Sequence, residues 1–218
     1  MSYRLPPAEG YVFDFNGTLF WDERQNREAW DYTATAIRGY PYSDSEFSKL
    51  NGRTDRDTVL YFLPEADEET LGYWIVFKES YYKEICIRDG LTLSPGSEAV
   101  LGSLKKQGVP MTIATSAPEM NMDWYYPMLR LDRFFKRDKL VVSPPGIPSK
   151  PDGAIFRLAM ERIGVSPSSC CVFEDSASGI EAAARAGAGY IYRIKGQGHS
   201  IPGPGRMIEL QSFLDIQP

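Results

Sequence analysis

Four groups of polar residues stand where short apolar runs end or where a helical pattern begins, and their side chains suit phosphoryl transfer. The groups are Asp14, the pair Thr115 and Ser116, Lys150 in front of Pro151, and the pair Glu174 and Asp175. Carboxylates, hydroxyls and a lysine supply a nucleophile, hydrogen bonds and positive charge for a phosphoryl group. A hard cation such as Mg²⁺ takes oxygen ligands and offsets the repulsion between an aspartate and a phosphate dianion. The set therefore predicts metal-assisted chemistry on a phosphate ester.

The apolar runs beside these groups have the length and composition of buried strands. They cover residues 11–13, 109–114, 140–142, 170–173 and 190–194. A helical pattern precedes the second run, and helical patterns separate the last three. One of these helices is expected to begin at Pro151 and to end at Gly164. Alternating strands and helices predict an α/β fold with a Rossmann-like parallel sheet covered on both faces. Because ligands of such sheets bind beyond the carboxyl ends of the strands, we expect the polar groups to meet there.

A long helical pattern interrupts the sheet after its first strand. Gly39 and Pro41 end a first helix, Ser43 with Glu46 forms a capping-box signature for a second, and a long apolar face runs from Leu71 to Ile85. No strand pattern occurs in this stretch. We therefore expect a core made of residues 1–20 and 91–218, with an all-helical cap domain at residues 21–90.

Composition limits the kinds of binding partner and the kinds of side chain available for catalysis. A net charge of -5 over 218 residues argues against nucleic acid or an anionic membrane as a partner. The first eleven residues lack the apolar stretch of a signal peptide, and no apolar run approaches the roughly 20 residues needed to span a bilayer. Three cysteines suit reduced, buried thiols, and the one histidine, His199, is expected in a surface loop. We expect a cytoplasmic protein that is a monomer or a weak homodimer.

In order and context, the polar groups resemble the four motifs of the haloacid dehalogenase superfamily. The matching segments are Asp14-Phe15-Asn16-Gly17-Thr18-Leu19, Thr115, Lys150-Pro151 and Glu174-Asp175-Ser176. The helical insert and the segment Gly179-Ile180-Glu181-Ala182-Ala183 resemble the β-phosphoglucomutase and phosphoglycolate phosphatase branch. The resemblance covers the chain from Tyr11 onward. It implies a Mg²⁺-dependent phosphatase that acts on a small phosphorylated metabolite.

The resemblance also implies a role for each residue. Asp14 would attack phosphorus and become the phosphoryl-aspartate, while Lys150 would neutralise the phosphoryl group. Thr115 and the amide of Ser116 would hydrogen-bond phosphate oxygens, and Gly17 would let the backbone approach the phosphate. The implied Mg²⁺ ligands are Asp14, the backbone carbonyl of Asn16, Asp175, and Glu174 acting close by or through a metal-bound water.

Residues 52–56 of the insert are expected to form a loop between two helical segments. By the family pattern this loop faces the core site, and Arg56 matches a position that often contacts the distal part of the substrate. A guanidinium offers a planar fork for a carboxylate or a second phosphate. The alternative interpretation of Arg56 is an ion pair inside the insert.

Asn16 departs from the resembled pattern, because most phosphatases of the family carry an aspartate there that protonates the leaving oxygen and then activates water. An amide cannot transfer a proton at neutral pH, and loss of such a group costs about 10²–10⁴ in rate. Three interpretations remain: a slow phosphatase, an enzyme for substrates with a good leaving group, or a regulatory protein that binds phosphorylated metabolites without turnover. The Asn16-Gly17 sequence is also prone to deamidation, which would place a carboxylate at this position.

Two further branches of the family fit the sequence less well. A phosphonate hydrolase would need a cap lysine that forms a Schiff base, and Lys49 is the candidate in the first half of the insert. A sugar-phosphate mutase is disfavoured, because Asn26 stands where the resembled β-phosphoglucomutase has a histidine that gates its aspartate.

Overall fold

The chain forms two compact units in a computed structural model that describes residues 3–50, 53–142, 144–196, 203 and 207–217. One unit combines Met1–Trp21 with Thr92–Pro218 and is named the core unit here; the other, Asp22–Leu91, is named the helical unit. His199, and Gly52 at the start of the expected 52–56 loop, lie outside the described residues. Within those residues, no helix has the length and apolar character needed to cross a membrane.

Short parallel strands form the centre of the core unit. In chain order they are β1 (Tyr3–Arg4), β2 (Gly10–Phe13), β3 (Met111–Thr115), β4 (Val141–Val142), β5 (Cys170–Glu174), β6 (Tyr190–Ile194), β7 (Met207–Leu210) and β8 (Ile216–Gln217). Six of them make one sheet in the order β4-β3-β2-β5-β6-β7, and β1 pairs with β8 separately. All the pairings are parallel. The expected α/β fold with a Rossmann-like parallel sheet is therefore confirmed.

The register of the central strands brings their carboxyl ends into line. Phe13, the last residue of β2, pairs with Ile113 on one side and with Phe173 on the other. The backbone N–H of Asp14 donates to the carbonyl of Phe173 at 2.9 Å. All four residues of β2 and all five of β5 are buried, as expected for strands with both faces covered. The residues that follow Phe13, and the last residue of β5, therefore emerge side by side at one edge of the sheet.

Eight α-helices occur in the described part of the chain. The helical unit contains α1 (Glu23–Arg38), α2 (Asp44–Leu50), α3 (Asp55–Phe62) and α4 (Glu68–Arg88), and the core unit contains α5 (Ser97–Lys106), α6 (Glu119–Met128), α7 (Ala154–Ile163) and α8 (Ala177–Arg185). The expectation of a helix that begins at Pro151 is wrong, because residues 150–153 form a turn and α7 begins at Ala154. Helix α6 and strand β7 were not predicted from the sequence.

The helices of the helical unit are fixed by capping and by a shared apolar cluster. Gly39 ends α1 in the left-handed conformation, and the amide of Glu46 is capped by the Ser43 hydroxyl at 3.2 Å, as the sequence predicts. The loop expected at residues 52–56 is in part the start of α3, because Thr54 and Asp57 form a capping box there. The cluster consists of Trp30, Ala34, Tyr42, Leu50, Val59 and Leu71.

A buried cluster of charged groups lies beneath α3 and α4 of the helical unit. Lys78 is 4% exposed, and its ammonium is 2.6 Å from a carboxylate oxygen of Glu79 and 3.5 Å from one of Asp55. The ammonium also lies over the rings of Trp30 and Tyr82. Burial, together with the nearby Glu79, raises the pKa of Asp55 well above its usual value, and the positive charge of Lys78 opposes this rise. The positive charge of Lys78 therefore offsets the cost of burying the Glu79 and Asp55 side chains.

We predict that Lys78→Met destabilises the protein by about 3–5 kcal/mol, because it leaves the buried Glu79 and Asp55 carboxylates without their cation. Urea unfolding followed by circular dichroism measures the change. The double variant Lys78→Met/Glu79→Gln should recover part of the loss, because it removes both partners of the buried pair. A matched control is Arg56→Met, which breaks a solvent-exposed ion pair and should leave the unfolding midpoint nearly unchanged. Equal midpoints for Lys78→Met and the control would contradict the prediction.

Candidate active site

Asp14, Lys150 and Glu174 form the centre of the candidate site. Asp14 directly follows β2, Glu174 ends β5, and Lys150 belongs to the turn that leads to α7. The Lys150 ammonium donates to Oδ1 of Asp14 at 2.5 Å and to Oε1 of Glu174 at 2.6 Å. Lys150 and Glu174 are each 1% exposed and Asp14 is 5% exposed. The structure thus brings together three groups that are up to 160 positions apart in the chain.

The charge of Lys150 is maintained by its neighbours. Burial by itself lowers the pKa of an ammonium, but attraction to the carboxylates of Asp14 and then Glu174 outweighs burial and raises the pKa of Lys150. The ammonium therefore stays positive throughout the neutral range. A fixed positive charge beside Asp14 suits a site where a carboxylate must approach an anionic phosphoryl group.

Glu174 also organises the turn between β5 and α8. Its Oε2 accepts hydrogen bonds from the backbone N–H of Asp175 at 2.7 Å, from the N–H of Ser176 at 2.6 Å and from the Ser176 hydroxyl. The same hydroxyl accepts from the N–H of Gly179 and so caps α8. One carboxylate oxygen thus holds Lys150 while the other holds the loop that carries Asp175.

Asp175 completes a set of three carboxylates at this edge of the sheet. One oxygen from each of Asp14, Glu174 and Asp175 lies within 4.8 Å of the others. The Thr18 hydroxyl donates to Oδ1 of Asp175 at 3.3 Å. Gly17 has a φ of +81°, and a Cβ atom there would overlap the Asp175 carboxylate, so the chain needs glycine at this point. A compact, all-oxygen donor set of this kind fits a hard divalent cation.

The side chain of Asn16 contacts a residue that the sequence did not single out. Its Nδ2 donates to the hydroxyl of Tyr125 on α6 at 3.0 Å. Tyr125 is fully buried, and its ring packs on Phe15 and Phe20 with centroid distances of 4.7 and 5.2 Å. This contact could not be predicted from the sequence, because α6 itself was not predicted and Tyr125 lies 109 positions from Asn16.

Of the other residues proposed from the sequence, Thr115 and Ser116 lie in the core unit, and Arg56 and Lys49 lie in the helical unit. Thr115 ends β3 with 1% exposure, and its Oγ1 accepts from the N–H of Ala117 at 3.1 Å, while Ser116 follows it at the same edge of the sheet. Arg56 belongs to the helical unit, where its guanidinium forms a two-bond ion pair with Glu68 at 2.6 and 2.7 Å. The ion pair inside the insert, the alternative given above for Arg56, is therefore present. Lys49 is exposed in the same unit, with its ammonium over the Tyr61 ring.

Comparison with known proteins defines the family. A family model of haloacid dehalogenase-like hydrolases matches residues 8–187. A phosphorylated carbohydrates phosphatase of Thermotoga maritima is 31% identical over 214 residues, covering 96% of this chain and 94% of that protein. A validoxylamine A 7'-phosphate phosphatase of Streptomyces hygroscopicus subsp. limoneus is 30% identical, covering 81% of each. The crystal structure of a family IA hydrolase from Entamoeba histolytica superimposes with a TM-score of 0.82 at 31% identity, covering 95% of each chain.

The chain belongs to the haloacid dehalogenase-like hydrolases. The resemblance stated from the four motifs is thereby confirmed, and it extends along nearly the whole chain. Both relatives named above are phosphatases, which supports the expected enzyme class, a phosphoric monoester hydrolase.

We predict that Gly179→Ala disturbs the site from within α8, because the added Cβ would overlap the Glu174 carboxylate. Overpacking of this kind costs about 1–3 kcal/mol of folding stability, and the displaced carboxylate would also weaken the contact with Lys150. The matched control is Gly102→Ala in α5, where a Cβ meets nothing within 4 Å; there alanine should stabilise by about 0.5–1 kcal/mol. Thermal unfolding of both variants provides the measurement. A Gly179→Ala protein as stable as the control would contradict the packing argument.

Proposed function

We propose that the protein is a Mg²⁺-dependent phosphatase of small phosphorylated carbohydrates that works through a phosphoryl-aspartate at Asp14. The observation that carries the proposal is the buried Asp14 carboxylate bonded to Lys150 inside a set of three carboxylates. The phosphorylated carbohydrates phosphatase of Thermotoga maritima and the hexitol phosphatase A of Escherichia coli, 24% identical over 180 residues, support this class of substrate.

Asp14 is the nucleophile of the proposed reaction. One of its oxygens forms a bond to phosphorus while the bond from phosphorus to the leaving oxygen breaks, and the electron pair of the broken bond stays on that oxygen. Lys150, held by Asp14 and Glu174, places a positive charge beside the forming bond. Thr115 and the amide of Ser116 bind the phosphoryl oxygens. Water then attacks the phosphoryl-aspartate, which regenerates Asp14 and releases phosphate.

The residues that would hold Mg²⁺ are Asp14, Asp175 and the backbone carbonyl of Asn16, with Glu174 close by. The set fits, since it offers oxygen ligands within 4.8 Å of one another, beside a glycine where a Cβ would overlap the Asp175 carboxylate. When bound, the cation supplies charge compensation for the phosphate dianion. Besides lying close to the cation, Glu174 positions two other parts of the proposed site. One of its oxygens accepts a hydrogen bond from Lys150, and the other accepts one from the backbone N–H of Asp175.

Asn16 limits the chemistry of this site. It cannot give a proton to the leaving oxygen, so an alkoxide must take its proton from water as it leaves. Turnover of sugar phosphates should therefore be slow, whereas substrates with an acidic leaving group should be favoured. The Asn16 amide equally supports the alternative of a phosphometabolite-binding protein with attenuated catalysis.

We predict that Asn16→Asp raises the turnover of sugar phosphates by about 10²–10⁴, because a carboxyl at this position can protonate the leaving oxygen and activate water. Phosphate release in Mg²⁺ from a panel of hexose and hexitol phosphates measures the effect. Peptide mass analysis of fresh wild type must confirm that residue 16 is still an amide, since deamidation would mimic the variant. Asp14→Asn should abolish the activity in both backgrounds. Activity that survives Asp14→Asn would refute the phosphoryl-aspartate.

Wild-type turnover separates the two candidate functions. A phosphatase releases phosphate at a low but Asp14-dependent rate. A binding protein takes up a phosphosugar and Mg²⁺ in calorimetry and releases no phosphate, even over long incubation with a fresh sample.

We predict that Mg²⁺ stabilises the folded protein by about 2.7 kcal/mol at a concentration 100 times its Kd, because the ion binds the folded carboxylate set and not the unfolded chain. Thermal unfolding with Mg²⁺ or with a chelator measures this change. Asp175→Asn should reduce the stabilisation, and Asp138→Asn, an exposed carboxylate outside the set, should retain it. An equal Mg²⁺ effect in both variants would place the ion elsewhere.

A further inference from the structure

The hydroxyl of Tyr125 and the amide of Asn16 form a contact that the proposed reaction does not yet use. The ring of Tyr125 is fully buried and packs against Phe15 and Phe20, two rings from the segment that follows Asp14. The position of its hydroxyl oxygen is therefore set by packing. That oxygen accepts a hydrogen bond from Nδ2 of Asn16 at 3.0 Å.

An amide side chain needs such a partner to point in one direction. The terminal torsion of asparagine is broad, so the nitrogen and oxygen ends of the amide can exchange places unless hydrogen bonds distinguish them. The hydroxyl of Tyr125 accepts from one N–H of Nδ2, which fixes the nitrogen end of the amide. The second N–H of the same nitrogen then has a defined direction.

We propose that Tyr125 is a positioning residue, which orients the Asn16 amide so that its second N–H donates to the leaving oxygen of the substrate. The inference rests on the proposed phosphatase function and deepens it. When the bond between phosphorus and the leaving oxygen breaks, negative charge develops on that oxygen, and a preorganised donor stabilises this charge. No proton is transferred from Asn16, and the leaving oxygen takes its proton from water.

A hydrogen bond to the leaving oxygen matters more for a poor leaving group than for a good one. Phenyl phosphate and 4-nitrophenyl phosphate have similar size, but nitrophenolate is the better leaving group and develops less localised charge on its oxygen. Hydrolysis of the phosphoryl-aspartate is common to both substrates, whereas kcat/KM covers only the steps up to departure of the leaving group. The ratio of kcat/KM for the two substrates therefore reports assistance to the leaving group and cancels general losses of active protein.

The test compares Tyr125→Phe with Tyr126→Phe on these two substrates in Mg²⁺. Phenylalanine keeps the ring packing of Tyr125 and removes only its hydroxyl. Tyr126 is the matched control on the same helix, because its hydroxyl donates to the backbone carbonyl of Phe135 at 2.7 Å. We expect Tyr125→Phe to lower kcat/KM for phenyl phosphate about three- to tenfold, the scale of one hydrogen bond, and to change kcat/KM for 4-nitrophenyl phosphate less than twofold. Tyr126→Phe should leave the ratio of the two rates unchanged.

A double-mutant cycle connects the effect to Asn16. In an Asn16→Ala background, Tyr125→Phe should have no further effect on the ratio, because the amide that it orients is gone. An equal fall on both substrates, or an effect that persists in the Asn16→Ala background, would overturn the role of Tyr125 and leave the phosphatase intact. If wild type releases no phosphate in an Asp14-dependent way from either substrate, the proposed function fails, and the inference fails with it.

Discussion

The Lys150 ammonium, bonded to two buried carboxylates from neighbouring strands, is the interaction on which the rest of the site depends. Parallel pairing of β2 with β5 places the Asp14 and Glu174 carboxylates side by side, and two carboxylates repel in a region of low dielectric constant. One cation between them removes this repulsion. Because the second oxygen of Glu174 holds the turn of Asp175 and Ser176, the same contact also fixes the third carboxylate. The arrangement places negative oxygen ligands and a positive charge within reach of one phosphoryl group.

Asn16 is the member of the proposed site that departs from the resembled family pattern. Asp14, Lys150, the carboxylate set and Gly17 match that pattern, and the departure falls at the position that the pattern assigns to proton transfer. The fold supports the amide at this position with a dedicated contact to Tyr125. An amide held by a buried hydroxyl is a hydrogen-bond donor with a fixed direction, which is a weaker catalytic device than an acid but a defined one.

The helical unit, like the core unit, buries a cluster of charged groups beside its apolar residues. Its helices enclose Lys78, Glu79 and Asp55 among aromatic side chains, so part of its interior is ionic and depends on complete pairing. The core unit buries continuous apolar strands next to the Lys150 cluster, including Cys170 and Cys171, whose thiols are free and buried as the composition indicated. Breaking a single pair should therefore be more damaging in the helical unit than a conservative change in its apolar cluster.

The sequence by itself determined the fold class, and it predicted a helical insert and the members of the candidate site. Apolar runs such as residues 11–13 and 170–173 can be recognised locally, and the carboxyl ends of parallel strands must share one edge, so Asp14, Glu174 and Asp175 could be placed together before any coordinates. The spacing of apolar residues misplaced the start of α7 and treated residues 52–56 wholly as a loop. Both boundaries are set by backbone turn geometry and by the Thr54 capping box, which the spacing of apolar residues does not report. Only the tertiary structure decided the contact of Tyr125 with Asn16, the double role of Glu174 and the ion pair of Arg56. Each of these includes a contact between side chains 12 or more positions apart, and no local spacing encodes that distance.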